Sequence, residues 1–176
     1  QKTLIEVETN LGEGIFRIGD GRRSGEFELA TSAKEGATTI NLAGAHSFQA
    51  GDYIYLLAEN TDEFLDSIGD TSWRKDAELS RSMVQVESVN GNTLTLDKGL
   101  HFDFDAVITT VEEIKVATDV KIGGFAVDYG LGKADPSLFS NTKSIYDRDA
   151  VIELDGTVDT VLYDLELRDV PSLGVN

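Results

Sequence analysis

Residues 101–106, HFDFDA, place His101, Asp103 and Asp105 at every second position. In an extended chain these three share one face with successive Cα atoms about 7 Å apart, and Phe102 and Phe104 point to the other. Two carboxylates about 5–9.5 Å apart are what glycoside hydrolysis needs: one protonates the leaving oxygen, the other attacks or activates water. The plainer reading, preferred in a chain with 32 acidic residues, is the solvated outer face of an edge strand. A second cluster, SIYDRDA, sets Arg148 between Asp147 and Asp149. There a cation could neutralise the carboxylate of a uronate while a neighbouring carboxylate takes a proton. A surface ion pair explains it more simply.

The best binding candidate lies in NTDEFLDSIGDTSWRKDAELS, residues 60–80, which holds the single Trp. Trp73, Arg74, Lys75 and nearby Arg81 gather an aromatic face and three cations in an otherwise negative chain, suited to stacking on a sugar ring and pairing with an acidic glycan. The competing reading has Trp73 capping an apolar core. Asp62, Glu63, Asp66 and Asp70 could offer oxygen ligands to Ca²⁺, but neither the twelve-residue calcium loop nor a nonapeptide calcium repeat is present. Charge complementarity at a helix start accounts for Asp62 and Glu63, and no metal or other cofactor is expected. In KIGGFAVDYG, Gly123-Gly124 precedes no helix and there is no GxxxxGK, so small residues that let stacked strands approach are a better account than a nucleotide loop. The sequence names no catalytic set.

Bulk properties narrow the partners. A net charge of −17, from 32 acidic and 15 basic residues in 176, disfavours a phosphate backbone, whose neutralisation needs clustered Lys and Arg. No apolar run approaches a membrane span, so neither nucleic acid nor membrane insertion is expected. Zero cysteines and two histidines leave no disulfide framework, no thiolate nucleophile and no polyhistidine metal centre.

The elements that must position these residues read as strands almost throughout. About ten short apolar runs, among them LIEVE, EFELA, TTINLA, DYIYLLA, MVQVESV and NTLTLD, alternate or stay apolar between Gly, Asn or Asp. Asn90-Gly91 between Val84, Val86, Val89 and Leu94, Leu96 marks a β-hairpin, whose outward residues carry no nucleophile or base. Only 60–80 is helix-compatible: Phe64, Leu65 and Ile68 follow a capping Thr61-Asp62. Sliding DVKIGGFAVD (119–128) onto DTVLYDLELR (159–168) matches Ile122 with Leu162, Phe125 with Leu165 and Val127 with Leu167. This offset of 40 is expected to hold two rungs of about 20 residues, AVIELDG being the one between. GIFRIGD matches AVIELDG in the same way, Ile15 with Val151, Phe16 with Ile152 and Ile18 with Leu154. Such repeats are what stacked parallel strands require, since each coil buries its inward side chains only against the coils above and below. Residues 1–24 and 116–176 are therefore expected to form coils, and 25–115 an inserted antiparallel barrel or sandwich with a long loop at 58–81. The chain opens at Gln1 without a leader and stops at VPSLGVN inside an apolar pattern, so the expectation is part of a longer protein truncated at its C-terminus.

The order IFRIGDG, GATTINLAGAHSFQAGDYIYL, VQVESVNGNTLTLDKGLHFDF, VATDVKIGGFAVDYG resembles the N-terminal part of right-handed parallel β-helix proteins of the pectate-lyase-like superfamily, which includes polysaccharide lyases, glycoside hydrolases, epimerases and phage tailspikes. The resemblance covers roughly residues 14–170 and implies an all-β fold of parallel coils with an antiparallel insert. It implies an extracellular, virion or cell-surface protein that binds a polysaccharide, anionic ones included, and in full length degrades or modifies it. This stretch alone would not be catalytic, and homotrimers occur in the group. The alternative is a non-enzymatic structural or adhesive solenoid, such as a tail-fibre spacer or a biofilm protein. Asp135-Pro136 is followed by Ser137, so the epimerase-type Asp-Pro-His-Glu run is missing.

Overall fold

The computed structural model describes residues 2–8, 14–69, 77–130, 137, 150–170 and 173–176. The chain is all-β and divides into two compact units, 1–21 with 116–176, and 22–115.

In the first unit the strands are short and, among the described residues, their pairing is parallel. β1 (Thr3–Val7) and β2 (Phe16–Ile18) come from the first passage of the chain. A second passage gives β9 (Ala117–Thr118), β10 (Lys121–Gly123), β11 (Phe125–Tyr129) and β12 (Ala150–Leu154). A third gives β13 (Thr157–Val158), β14 (Val161–Tyr163), β15 (Glu166–Arg168) and β16 (Leu173–Val175). They stack in chain order as β1-β11-β15, β2-β12-β16, β10-β14 and β9-β13. A two- or three-residue strand is worth little alone, so the apolar side chains between rungs must supply the cohesion. Val127, Tyr129, Val151 and Ile152 of the middle passage are buried, with Ile5, Ile18, Ile122, Leu162 and Leu167 packed against that cluster.

The register bears out four of the six sequence matches and corrects the count. Ile122 pairs with Leu162 and Val127 with Leu167, and Phe16 and Ile18 pair with Ile152 and Leu154. The offset of 40 is thus one step of the stack, not two. AVIELDG lies on another wall of the same passage, where β12 pairs with β16 at an offset of only 23, Ala150 to Leu173. The difference arises because residues 130–149 separate β11 from β12, whereas only 169–172 separate β15 from β16.

Corners between rungs need a left-handed residue, and the chain supplies Asp or Gly at equivalent positions. Asp119 and Asp159 have φ of 56° and 53°, Gly124 and Asp164 have 79° and 48°. Asp tolerates this region because its short polar side chain can hydrogen-bond locally, whereas a β-branched residue meets its own carbonyl. Asp159→Val is expected to lower stability by about 1–2 kcal/mol and Asp159→Gly to be nearly neutral, measured as urea-denaturation midpoints.

The second unit is antiparallel. β3 (Arg23–Glu28), β4 (Thr39–Asn41), β5 (Tyr53–Ala58), β6 (Ser80–Asn90), β7 (Thr93–Leu96) and β8 (Thr109–Ile114) lie in the order β3-β8-β5-β6-β7-β4. A bridge between Leu29 and Leu42, flanked by Ala30 N–H to Asn41 O at 2.8 Å and Ala43 N–H to Glu28 O at 2.9 Å, joins the two edge strands and closes the ring. Closure removes the exposed edges. Inside it Ile40, Leu42, Ile54, Leu56, Val84, Val86, Leu94, Leu96, Phe104 and Val111 form one core. The β6–β7 hairpin turns on Gly91-Asn92, with Asn90 paired to Thr93. Only Gly91 has positive φ, 58°, and glycine at the first central position is the requirement of a type II′ turn. A bulge between Val86 and Ser88 brings Val89 opposite the buried Leu94, yet Val89, one residue before the Asn90–Thr93 pair that flanks the turn, is 37% exposed and not inward as the sequence reading has it. Helix α1 (Asp62–Ser67) follows β5, and its N-cap Thr61 accepts the Phe64 N–H at 3.1 Å. Leu65 is its buried residue, and Ile68 stays exposed.

Candidate functional site

The chain end of β5, the start of β6 and the loops at 32–34 and 103–108 surround a cleft of about 310 Å³ within the antiparallel unit. Its apolar lining is Ala33, Ala58, Phe64, Phe104 and Ile108, and its polar lining is Ser32, Lys34, Glu59, Thr61, Ser80, Asp103 and Asp105. Each piece is fixed by backbone bonds. Ala33 and Phe104 exchange N–H···O bonds of 2.9 and 2.8 Å, and Glu59 N–H donates to Ile108 O at 3.0 Å. Asp105 Oδ1 accepts the Val107 N–H at 2.8 Å, and Ser32 Oγ accepts the Ala106 N–H at 3.0 Å. A cleft with an apolar floor and convergent polar groups, built on paired backbone, is the usual form of a small-molecule site.

Lys34 Nζ stands 2.7 Å from Asp103 Oδ2, and Asp103 Oδ1 accepts the Glu35 N–H at 2.8 Å. The hydrogen bond from Lys34, followed by that from Glu35 N–H, holds the Asp103 carboxyl below its ordinary range, and the same bond and charge hold Lys34 above its own. The carboxylate's contribution to stability is present above the ordinary carboxyl value and is lost as pH falls through the lowered one. The ammonium's is present below the ordinary lysine value and is lost as pH rises through the raised one. Both groups are solvent-exposed, so screening keeps the effect small. In Lys34→Met the Asp103 carboxyl titration followed by NMR is expected to climb back towards the ordinary value, but only in part, because the Glu35 N–H remains.

This geometry corrects the period-two picture of HFDFDA. Asp103 and Asp105 line the same cleft, yet the segment contains only an isolated bridge at Phe104 and turns at 106–108. Phe104 is fully buried while Phe102 is 42% exposed, so the aromatics do not share a face, and His101 is not part of the cleft lining. Asp103 is already neutralised by Lys34. Arg81 pairs with Leu57, one position on from Ser80 and Ala58, and so stands on the opposite face of the sheet from the cleft-lining residues. Its guanidinium donates to the Glu78 carbonyl. Trp73, Arg74, Lys75, Asp70, and Arg148 with Asp147 and Asp149 lie outside the described residues. The cleft residues Lys34, Glu59 and Ser80 went unnoticed in the sequence because they come from three distant segments with no shared spacing.

No protein family and no curated protein matches the chain. Similar solved structures are phage tailspikes. The Gp54 tailspike of Acinetobacter baumannii bacteriophage AP22, in complex with A. baumannii capsular saccharide, aligns with 99% of this chain and 38% of its own at 12% identity and a TM-score of 0.52. The tailspike gp61 of Pseudomonas phage phi297 aligns with 97% of this chain and 37% of its own, at 14% identity and 0.49. The tailspike protein gp49 of Pseudomonas phage LKA1 aligns with 73% and 25%, at 18% and 0.47. The likeness is one of fold. The chain spans between a quarter and two fifths of the length of these tailspikes. No helix among the described residues is long and apolar enough to cross a membrane.

Proposed function

We propose that the chain belongs to a tailspike-like, virion-borne surface protein that binds an extracellular polysaccharide. It would contribute the first coils and the inserted barrel of a pectate-lyase-like β-helix that works as a homotrimer. The observation that carries the binding role is the cleft, in which hydroxyls and carboxylates converge beside Phe64, Ile108 and other apolar carbons. Sugars combine apolar C–H faces with a rim of hydroxyls, and such a lining matches both. The Gp54 tailspike, the structure that aligns with 99% of this chain, is described with a capsular saccharide. Degradation or modification of the glycan by the whole protein, as lyase, hydrolase or epimerase, is a role that the resemblance implies for regions other than this cleft.

The test is titration of the chain with capsular oligosaccharides by calorimetry. Phe64→Ala and Ser80→Ala should each weaken binding at least about tenfold, roughly 1.4 kcal/mol, while Ile68→Ala, exposed beside the same helix, should not. Undiminished binding in both cleft variants would remove the cleft from the proposal. A spacer role is favoured for the parallel unit by ion pairs among its surface charges: Lys2 with Asp164, Arg17 with Glu153 and Asp155, Arg168 with Glu166.

A further inference from the structure

Granting the glycan reading of the cleft, we infer that it selects against acidic sugars and accepts units without a carboxylate, those with a free amino group best. The lining holds three carboxylates, Glu59, Asp103 and Asp105, against the one ammonium of Lys34. That ammonium is spent on Asp103 at 2.7 Å, so an incoming uronate finds no free cation among the cleft residues. Asp105 accepts only the neutral Val107 N–H as its hydrogen-bond donor, and the single Lys34 ammonium is shared among three carboxylates. That excess of negative charge beside a partly desolvated ligand repels an anion and attracts an ammonium.

The other polar groups of the lining are uncharged. Ser32, Thr61 and Ser80 carry hydroxyls in the same cleft, groups that both donate and accept and so fit the hydroxyl or amide groups of a sugar better than a carboxylate. Neutral hydroxyls and an excess of carboxylates point to the same ligand class.

The experiment applies the whole chain to an oligosaccharide array in three sets: neutral hexoses and N-acetylhexosamines, hexosamines with free amines, and uronates. Free-amine and neutral sets are expected to bind at least about tenfold more tightly than uronates, a gap of roughly 1.4 kcal/mol. The double variant Glu59→Gln/Asp105→Asn, which keeps the acceptor oxygen for Val107, should narrow that gap at least fivefold. Uronates bound as tightly as neutral sugars would overturn the selectivity but leave the glycan cleft standing. Free-amine binding undiminished in the double variant would assign it to the overall negative charge of the protein and also overturn the inference. Binding by none of the three sets would overturn the glycan reading itself.

Discussion

Gly123→Ala is expected to pull apart the β10–β14 rung and to lower the stability of the parallel unit by about 3 kcal/mol or more, the upper range for overpacking. A Cβ at this position would sit 1.8 Å from the Tyr163 carbonyl oxygen and 2.8 Å from Tyr163 Cγ. The nearer obstacle is backbone and cannot swing aside. The same oxygen accepts the Gly124 N–H at 3.2 Å, so the displacement needed to admit a methyl group breaks one of the bonds that tie the two passages together. Gly124→Ala isolates the other cost of losing a glycine, since its Cβ would meet nothing within 4 Å but its φ is +79°. It should lose about 1–2 kcal/mol. Gly44→Ala, with open space and no positive φ, should be nearly silent. Hydrogen exchange reads the difference locally: the amides of β10 and β14 should lose protection in Gly123→Ala far more than those of β5 and β6. A Gly123→Ala protein with native protection in both rungs would show that close approach is not what the glycine provides.

The stack was legible where inward positions repeat the same residue class. Phe16-Arg17-Ile18 and Ile152-Glu153-Leu154 carry the same pattern, and the register aligns them as the sequence does. What the pattern could not show was the step length, because residues 130–149 separate β11 from β12 whereas only 169–172 separate β15 from β16. The corners held an unused signal: Asp119 and Asp159, and Gly124 and Asp164, fall at the same offset as the paired strands, and both residue types tolerate a left-handed backbone. Reading those four together with the apolar matches would have fixed 40 residues as one step. The helix start was legible from Thr61 because capping is a local event. The cleft was not, because Lys34 meets Asp103 through a pairing of residues 69 apart, and nothing in either segment names its partner. Alternation also misleads wherever a strand is too short to persist, as at Phe102 and Phe104, where a two-residue bridge and a turn replaced the assumed ladder.

Those two phenylalanines give a sharp contrast in energy. Phe104→Ala is expected to cost about 3–5 kcal/mol, the range for a buried aromatic truncated to a cavity, and Phe102→Ala no more than about 0.5 kcal/mol, as for other surface changes. Phe104 is fully buried in the cluster that includes Ala33, Leu100 and Val111, and its backbone makes both bonds to Ala33. Its loss therefore removes core contacts from the barrel at the point where the 32–34 loop is held, and Lys34, the partner of Asp103, belongs to that loop. Guanidinium denaturation of both variants measures the stability gap directly. Phe104→Leu separates packing from position, because it keeps most of the apolar volume and should recover more than half of the loss, with the Asp103 carboxyl titrating as in the parent chain. Phe104→Ala should release that titration towards the ordinary carboxyl range even under conditions where the protein stays folded. Equal losses for Phe102→Ala and Phe104→Ala would restore the extended, one-faced reading of HFDFDA. An unchanged Asp103 titration in a folded Phe104→Ala protein would show that the Lys34–Asp103 pair is held by the loop itself and not by the core beneath it.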